Sequence, residues 1–171
     1  MDTRLPEAAP ATADSQVTSL YQAHALSLAR LALLMLGDAD AAQDVVQDAF
    51  LGLYRRWDKL ASAEAAPAYL RSSVLNGCRT VLRRRSRPAI HAAGELLESA
   101  EAAVLHTEEH RAVLAAIRRL PARQREALVL RYYLDMTEDQ AARAMGVTRG
   151  TVKSATSRAI AAVGRMLKEE S

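Results

Sequence analysis

Leu20, Ala23, Leu28, Leu31, Leu34 and Met35 recur at helical spacing, which predicts a first amphipathic helix over residues 17–36. Gly37 stands where a left-handed residue ends such a helix. Asp38 or Asp40 can cap the next helix, residues 39–57. Its apolar stripe is Ala42, Val45, Val46, Ala49, Leu53 and Trp57, while Asp44, Gln47, Asp48, Leu51 and Arg55 gather on another face. The stretch KLASAEAAPAYL breaks the pattern, and Pro67 suits the first turn of a third helix reaching about residue 85. Leu70, Val74, Cys78 and Val81 point inward; Arg71, Ser72, Asn76, Arg79 and Arg83 share the other side. A face of Arg, Ser and Asn without acids suits DNA.

Large apolar residues then thin out. The acidic stretch 88–106 reads as a linker between a first domain, 17–87, and a second, 107–168. In the second, Thr107 can cap a helix with Glu108 and Glu109 at the positive end of its dipole. Val113, Leu114, Ile117 and Leu120 form its inner face. Pro121 stops that helix and opens another to about Tyr133, with Leu128, Leu130 and Tyr132. MTEDQAARAMGVTRGTVKSATSRAI follows and reads as a helix-turn-helix. Thr137 and Gln140 fit a capping box, Ala141 and Ala142 permit a close helix crossing, and Gly146 suits a positive-φ turn. Val147 plugs the junction and Thr148 can cap the second helix, whose buried stripe is Val152, Ala155, Ala159 and Val163. Arg149, Gly150, Lys153, Ser154, Ser157 and Arg158 lie opposite, with no carboxylate among them. In this geometry Lys153, Ser154, Ser157 and Arg158 reach base edges in the major groove, and Arg149 and Thr151 hold phosphates.

Composition supports an all-α fold of two small helical domains. Of 171 residues, 50% are hydrophobic but only 4% aromatic, and period-two runs of β-branched residues are missing. The net charge of +3 is modest but unevenly placed: no acid falls between Arg71 and Arg87, and no base between Arg87 and Arg111. That separation points to a polyanion partner for the basic block. Cys78, the sole cysteine, allows no internal disulfide, argues against a Cys-based metal site, and sits among apolar neighbours as a small buried hydrophobe. His24, His91, His106 and His110 are scattered. Nothing resembles a nucleophile–base pair, a phosphate loop or a metal cluster, so no enzymatic activity, cofactor or metal is expected. Residues 1–16 read as a loose tail without a signal-peptide core. The apolar stretch 26–36 is too short to span a bilayer and contains Arg30, so a cytoplasmic protein without membrane insertion is expected.

Two blocks decide whose helix-turn-helix this is. GDADAAQDVVQDAFLGLYRRWDKL followed by AYLRSSVLNGCRTVLRRR strongly resembles region 2 of bacterial sigma factors of the extracytoplasmic-function (ECF) group. LPARQREALVLRYYLDMTEDQAARAMGVTRGTVKSATSRAIAAV resembles their region 4. The order is that of the group, with a short linker and no region 3, and the form VKSATSRAI looks like the actinobacterial, SigE-like branch. The resemblance implies a promoter-specificity factor of RNA polymerase. Region 4 would hold the −35 element as duplex through Arg149, Thr151, Lys153, Ser154, Ser157 and Arg158. Region 2 would dock Asp44, Gln47, Asp48, Leu51 and Arg55 on the clamp helices of the largest polymerase subunit. It would also capture the melted −10 element: a loop at 61–66, with Ser62 in it, takes a flipped base, Leu60 precedes it, Asn76 stands on the following helix, and Arg71, Arg79 and Arg83 hold phosphates. The flap of the second-largest subunit and an anti-sigma factor are further implied partners. Leu60 replaces a frequent aromatic, Tyr69 a frequent tryptophan and Ala155 a frequent arginine, which leaves the promoter sequence open. A LuxR-type regulator would need a receiver or sensor domain, which this helical N-terminal half does not resemble. A decoy of the same fold would bind polymerase without starting transcripts.

Overall fold

A computed structural model describes residues 13–85 and 108–169, all strands being absent among them. The expected tail, linker and Thr107 cap fall largely or wholly outside these residues. α1 (Ala13–Leu36) begins earlier than the apolar spacing suggests, with Asp14 in its first turn against the helix dipole. Leu28, Leu31, Ala32, Met35 and Leu36 are its buried residues. Ala23, expected inward, is exposed, because the buried line runs through Leu28, Leu31 and Met35 and passes it by. The 24-residue α1 holds an 18-residue window of mean hydropathy 1.2 and is long and apolar enough to cross a membrane, which the stretch 26–36 alone is not. Its buried side chains nevertheless belong to the protein core.

Gly37 ends α1 at φ +67, its N–H donating to the Leu33 carbonyl at 2.8 Å. The residue after it resolves the choice of cap. Asp38 Oδ1 accepts from the Ala41 N–H at 3.0 Å and opens α2 (Ala39–Arg55). Arg85 Nη2 donates to its Oδ2 at 2.6 Å. The Ala41 N–H, aided by Arg85, holds the Asp38 carboxyl below its ordinary range. A depressed folded value means the cap is fully effective above about pH 4 and is lost as the pH falls through that lower value. Asp38→Ala is expected to cost about 1 kcal/mol in urea denaturation at pH 7, a difference that shrinks on acidification.

α2 stops at Arg55 and Trp57 heads a separate 3₁₀ turn, Trp57–Lys59, from which its ring still packs on the core. After a second short turn, Ala63–Ala65, comes α3 (Ala66–Arg85), with Leu70, Val74, Leu75 and Cys78 buried and Val81 half-buried. α2 and α3 pack tightly at Gly77, where a Cβ would stand 2.7 Å from Val45 Cγ1. Cys78 is fully buried, and burial pushes its thiol up to about 12.

The second unit starts with α4 (Glu108–Arg119), which is buried at Ala116, while Val113, Leu114 and Ile117 are only half-buried and Leu120 follows it inward. Pro121 caps α5 (Ala122–Leu128), which runs on into a π turn, Val129–Tyr133, closed by the Leu134 N–H on the Val129 carbonyl. The wider turn shifts the helical phase. Val129 and Leu130 go inward, whereas Tyr132, expected on the inner face, is 67% exposed. Asp135 turns the chain at φ 49 into α6 (Glu138–Met145) and α7 (Arg149–Glu169). The two units share one apolar core. Leu31, Met35, Leu53, Leu70 and Val74 of the first belong to the same buried cluster as Val129, Leu130, Ala141 and Val152 of the second.

Candidate nucleic-acid interface

The helix-turn-helix is built by local chemistry. Gln140 N–H donates to Thr137 Oγ1 at 3.2 Å and the Thr137 N–H to Gln140 Oε1 at 2.8 Å, completing the capping box. Gly146 closes α6 at φ +64, where a side chain would be strained, and the Val147 N–H returns to the Ala142 carbonyl at 3.0 Å. Thr148 Oγ1 accepts from the Thr151 N–H at 3.2 Å, opening α7. Val152, Ala155, Thr156 and Ala159 are buried, so the helix rolls its other side outward. Lys153, Ser154, Ser157 and Arg158 are all exposed there. Ser154 Oγ donates back to the Thr151 carbonyl at 3.1 Å.

Arg149 and Thr151 are already engaged. Arg149 Nε meets Glu138 Oε2 at 2.7 Å, and Nη1 stands 4.0 Å from Asp139 Oδ2. That contact raises the Arg149 pKa and lowers that of Glu138. With 66% of its side chain exposed, Arg149 still presents a guanidinium edge to solvent. Thr151 Oγ1 lies 2.9 Å from Thr148 Oγ1. Sequence spacing did not reveal the neighbour of this row. Arg131 and Tyr132 line a cavity of about 260 Å³ with Glu138, Lys153, Thr156, Ser157 and Ile160, and the buried Thr156 Oγ1 has no hydrogen-bond partner. The π turn brings Arg131 there, and period-3.6 counting gave no sign of it. Arg131 Nη1 also donates to the Met136 carbonyl.

On α2, Asp44, Gln47, Asp48, Leu51 and Arg55 are all exposed, as one outward row. Leu51 is 52% and Tyr54 48% exposed, so an apolar spot adjoins the acids. A hydrogen bond to Asp14 raises the Tyr54 pKa, and Tyr21 stacks edge-on against Phe50 with centroids 5.0 Å apart.

The third group of residues is not brought together as an open face. Leu60 is half-buried against the core, and Ser62, exposed, hydrogen-bonds the Glu64 carboxylate and lowers its pKa. Arg83 is exposed and Nη2 donates to Thr80 Oγ1 at 3.2 Å. Arg71 is half-buried and lines a 130 Å³ cavity with His24, Ser27, Pro67 and Leu134. Arg79 Nη1 donates to Asn76 Oδ1 at 2.9 Å, and Nε donates to Glu126 Oε1 of the second unit at 2.8 Å. Nη2 donates to the same carboxylate and, at 2.6 Å, to the Ala144 carbonyl.

Comparison with known proteins matches residues 20–88 to the family model "Sigma-70 region 2" and residues 110–163 to "Sigma-70, region 4". The chain is 36% identical over 138 residues to the RNA polymerase sigma-E factor of Streptomyces avermitilis, spanning 79% of this chain and 75% of that protein. It is 32% identical over 154 residues to the ECF RNA polymerase sigma factor SigM of Mycobacterium tuberculosis, spanning 86% and 75%. Among solved structures it resembles the sigma factor RpoE of Bartonella quintana, seen with the anti-sigma factor NepR (TM-score 0.68, 23% identity, 88% of this chain and 98% of that one). It also resembles CnrH, seen with the cytosolic domain of CnrY (TM-score 0.64, 22% identity, 93% and 96%). The last two likenesses concern the fold alone.

Proposed function

The chain belongs to the ECF group of RNA polymerase sigma factors, in its actinobacterial, SigE-like branch, and we propose how its surfaces divide the work of promoter-directed transcription initiation. Region 2 spans α1–α3 and region 4 spans α4–α7. As a sigma factor the chain binds core RNA polymerase and promoter DNA and directs initiation at specific promoters. One observation carries the assignment of surfaces: two exposed helix rows of opposite chemistry stand on the two units, an acid-bearing one on α2 and an acid-free one on α7.

The α7 row reads the −35 duplex, with Lys153, Ser154, Ser157 and Arg158 toward the bases and Arg149 and Thr151 toward phosphates. Arg131, beside Lys153, joins them as a cation at the groove edge. The α2 row of Asp44, Gln47, Asp48, Leu51 and Arg55 docks on the clamp helices of the largest polymerase subunit, and region 4 additionally meets the flap of the second-largest. Tyr54 adds apolar area next to Leu51. The face of α3 with Arg71, Asn76, Arg79 and Arg83, together with Leu60 and Ser62, captures the melted −10 strand. Extruding a base costs a few kcal/mol, and the amide of Asn76 offers both donor and acceptor to offset it. The chain acts as an initiation factor without covalent chemistry of its own, in the cytoplasm, under an anti-sigma partner; RpoE of Bartonella quintana is seen with a partner of that kind.

Run-off transcription with purified core polymerase on a genomic template library tests this reading. Discrete, promoter-specific starts are expected. Core binding without any specific start would replace it by a decoy of the same fold. Within region 4, Lys153→Ala is expected to relax the preference between −35 sequences by about 1–3 kcal/mol, the signature of one lost base contact. Fluorescence anisotropy on duplexes of different sequence across a salt series measures it. A uniform loss for all sequences with a salt slope flattened by about 1 would assign Lys153 to a phosphate instead.

A further inference from the structure

We propose that region 4 of this chain is itself the occupant of the −10 face of α3, held there by a clasp centred on Arg79 and Glu126, so that the melted strand and region 4 compete for one surface. The inference rests on the −10 assignment above. The clasp is polar and nearly complete. The guanidinium of Arg79 has five N–H donors, and it makes four donations: two to Glu126 Oε1, one to the Ala144 carbonyl and one to Asn76 Oδ1. Two of these acceptors belong to α5 and α6 of region 4. The Glu126 side chain is 11% exposed, so its charge is met by Arg79 away from bulk water.

Chemically, Glu126 occupies the place a DNA phosphate would take. Both are anions with paired oxygen acceptors, and both suit the planar fork of an arginine. Two further ties lie along the same seam. Arg125 Nη1 donates to the Met35 carbonyl at 2.6 Å, and the Tyr133 hydroxyl donates to the Ser27 carbonyl at 3.0 Å. Arg71 faces the cavity that Leu134 of region 4 helps to line. Three of the residues assigned to the strand, Arg71, Asn76 and Arg79, therefore face or serve region 4. The occupant is covalently attached, so its local concentration exceeds that of free DNA. The affinity of the free chain for single strands is then the intrinsic affinity reduced by the fraction of molecules that are open.

The test uses the full chain without polymerase and a fluorescein-labelled single-stranded 12-mer of randomised sequence. Glu126→Gln, which keeps the side-chain shape and removes the charge, is expected to tighten binding about tenfold as the open fraction grows. Small-angle scattering is expected to show a larger radius of gyration for the same variant. Glu169→Gln, a charge-matched change at the exposed end of α7, corrects for the altered net charge. Adding Arg79→Ala to Glu126→Gln should remove the gain. Wild-type affinity and radius in a folded Glu126→Gln variant, or a gain that survives Arg79→Ala, would overturn the clasp. If Glu126→Gln loses its helical circular dichroism, Tyr133→Phe, which removes only the hydroxyl tie to Ser27, replaces it; a two- to threefold gain is expected and none overturns the proposal. The −10 assignment has its own readout: Arg79→Ala in the polymerase holoenzyme. If promoter-specific transcription is unaffected there, the assignment fails; if it falls while Glu126→Gln changes nothing in the free chain, the clasp alone fails.

Discussion

Replacing Asp48 with arginine is expected to lower affinity for core polymerase by on the order of 100-fold while binding of region 4 to duplex DNA stays within about twofold. Asp48 lies mid-row on the exposed face of α2, between Asp44 and Leu51 at helical steps. In the proposed docking a reversed charge there would face basic residues of the partner at close range, and like charges across an interface cost several kcal/mol rather than the small loss of an exposed ion pair. The fold should be unaffected, because Asp48 is exposed and is not among the buried residues of α2. Competition against a fluorescently labelled wild-type chain for core enzyme measures the first effect, and anisotropy on duplex DNA the second. Equal loss of both activities would mean that α2 is not a separate docking surface.

Gly77→Val is the second large effect. A Cβ at this position would sit 2.7 Å from Val45 Cγ1, and valine adds two methyl groups at a crossing with no room for the first carbon. Overpacking of this sort costs about 1–3 kcal/mol, and the upper end is expected because Val45 and its neighbours Val46 and Ala49 are themselves buried. The displaced helix is α2, so the row proposed to dock on polymerase moves with it. Gly164→Ala is the control: nothing lies within 4 Å of a Cβ there, and the change should stabilise α7 by up to about 1 kcal/mol. Urea midpoints of the two variants should shift in opposite directions. A neutral Gly77→Val would show that α2 and α3 slide apart without cost.

Features resting on local chemistry were legible in the order of residues. The Thr137–Gln140 capping box, the positive φ of Gly37 and Gly146, and the buried lines of α2 and α7 each depend on neighbours within a few positions. Two kinds of feature were not legible. The π turn at Val129–Tyr133 breaks the 3.6-residue period, so the spacing points Tyr132 inward and gives no sign of Arg131 beside Lys153. Long-range pairing was the other. Arg79 and Glu126 are separated by 47 positions, and no spacing rule connects them. Their contact turns a face that reads as free and basic into one already occupied. Arg149 is an intermediate case: its carboxylate partners Glu138 and Asp139 lie between the two capping-box residues in the sequence, but only the folded turn brings them to its guanidinium.

Cys78 has a consequence for signalling. Peroxide and disulfide reagents attack the thiolate, and a fully buried thiol whose pKa is pushed up to about 12 supplies almost none at physiological pH. The sole cysteine of the chain is thus blind to oxidants. Cys78 is therefore not the sensor in any oxidative-stress response that runs through this factor. The same inertness makes the native chain ready for site-specific dyes: surface cysteines introduced one on each unit would label without first removing Cys78, and would report the separation of regions 2 and 4 directly.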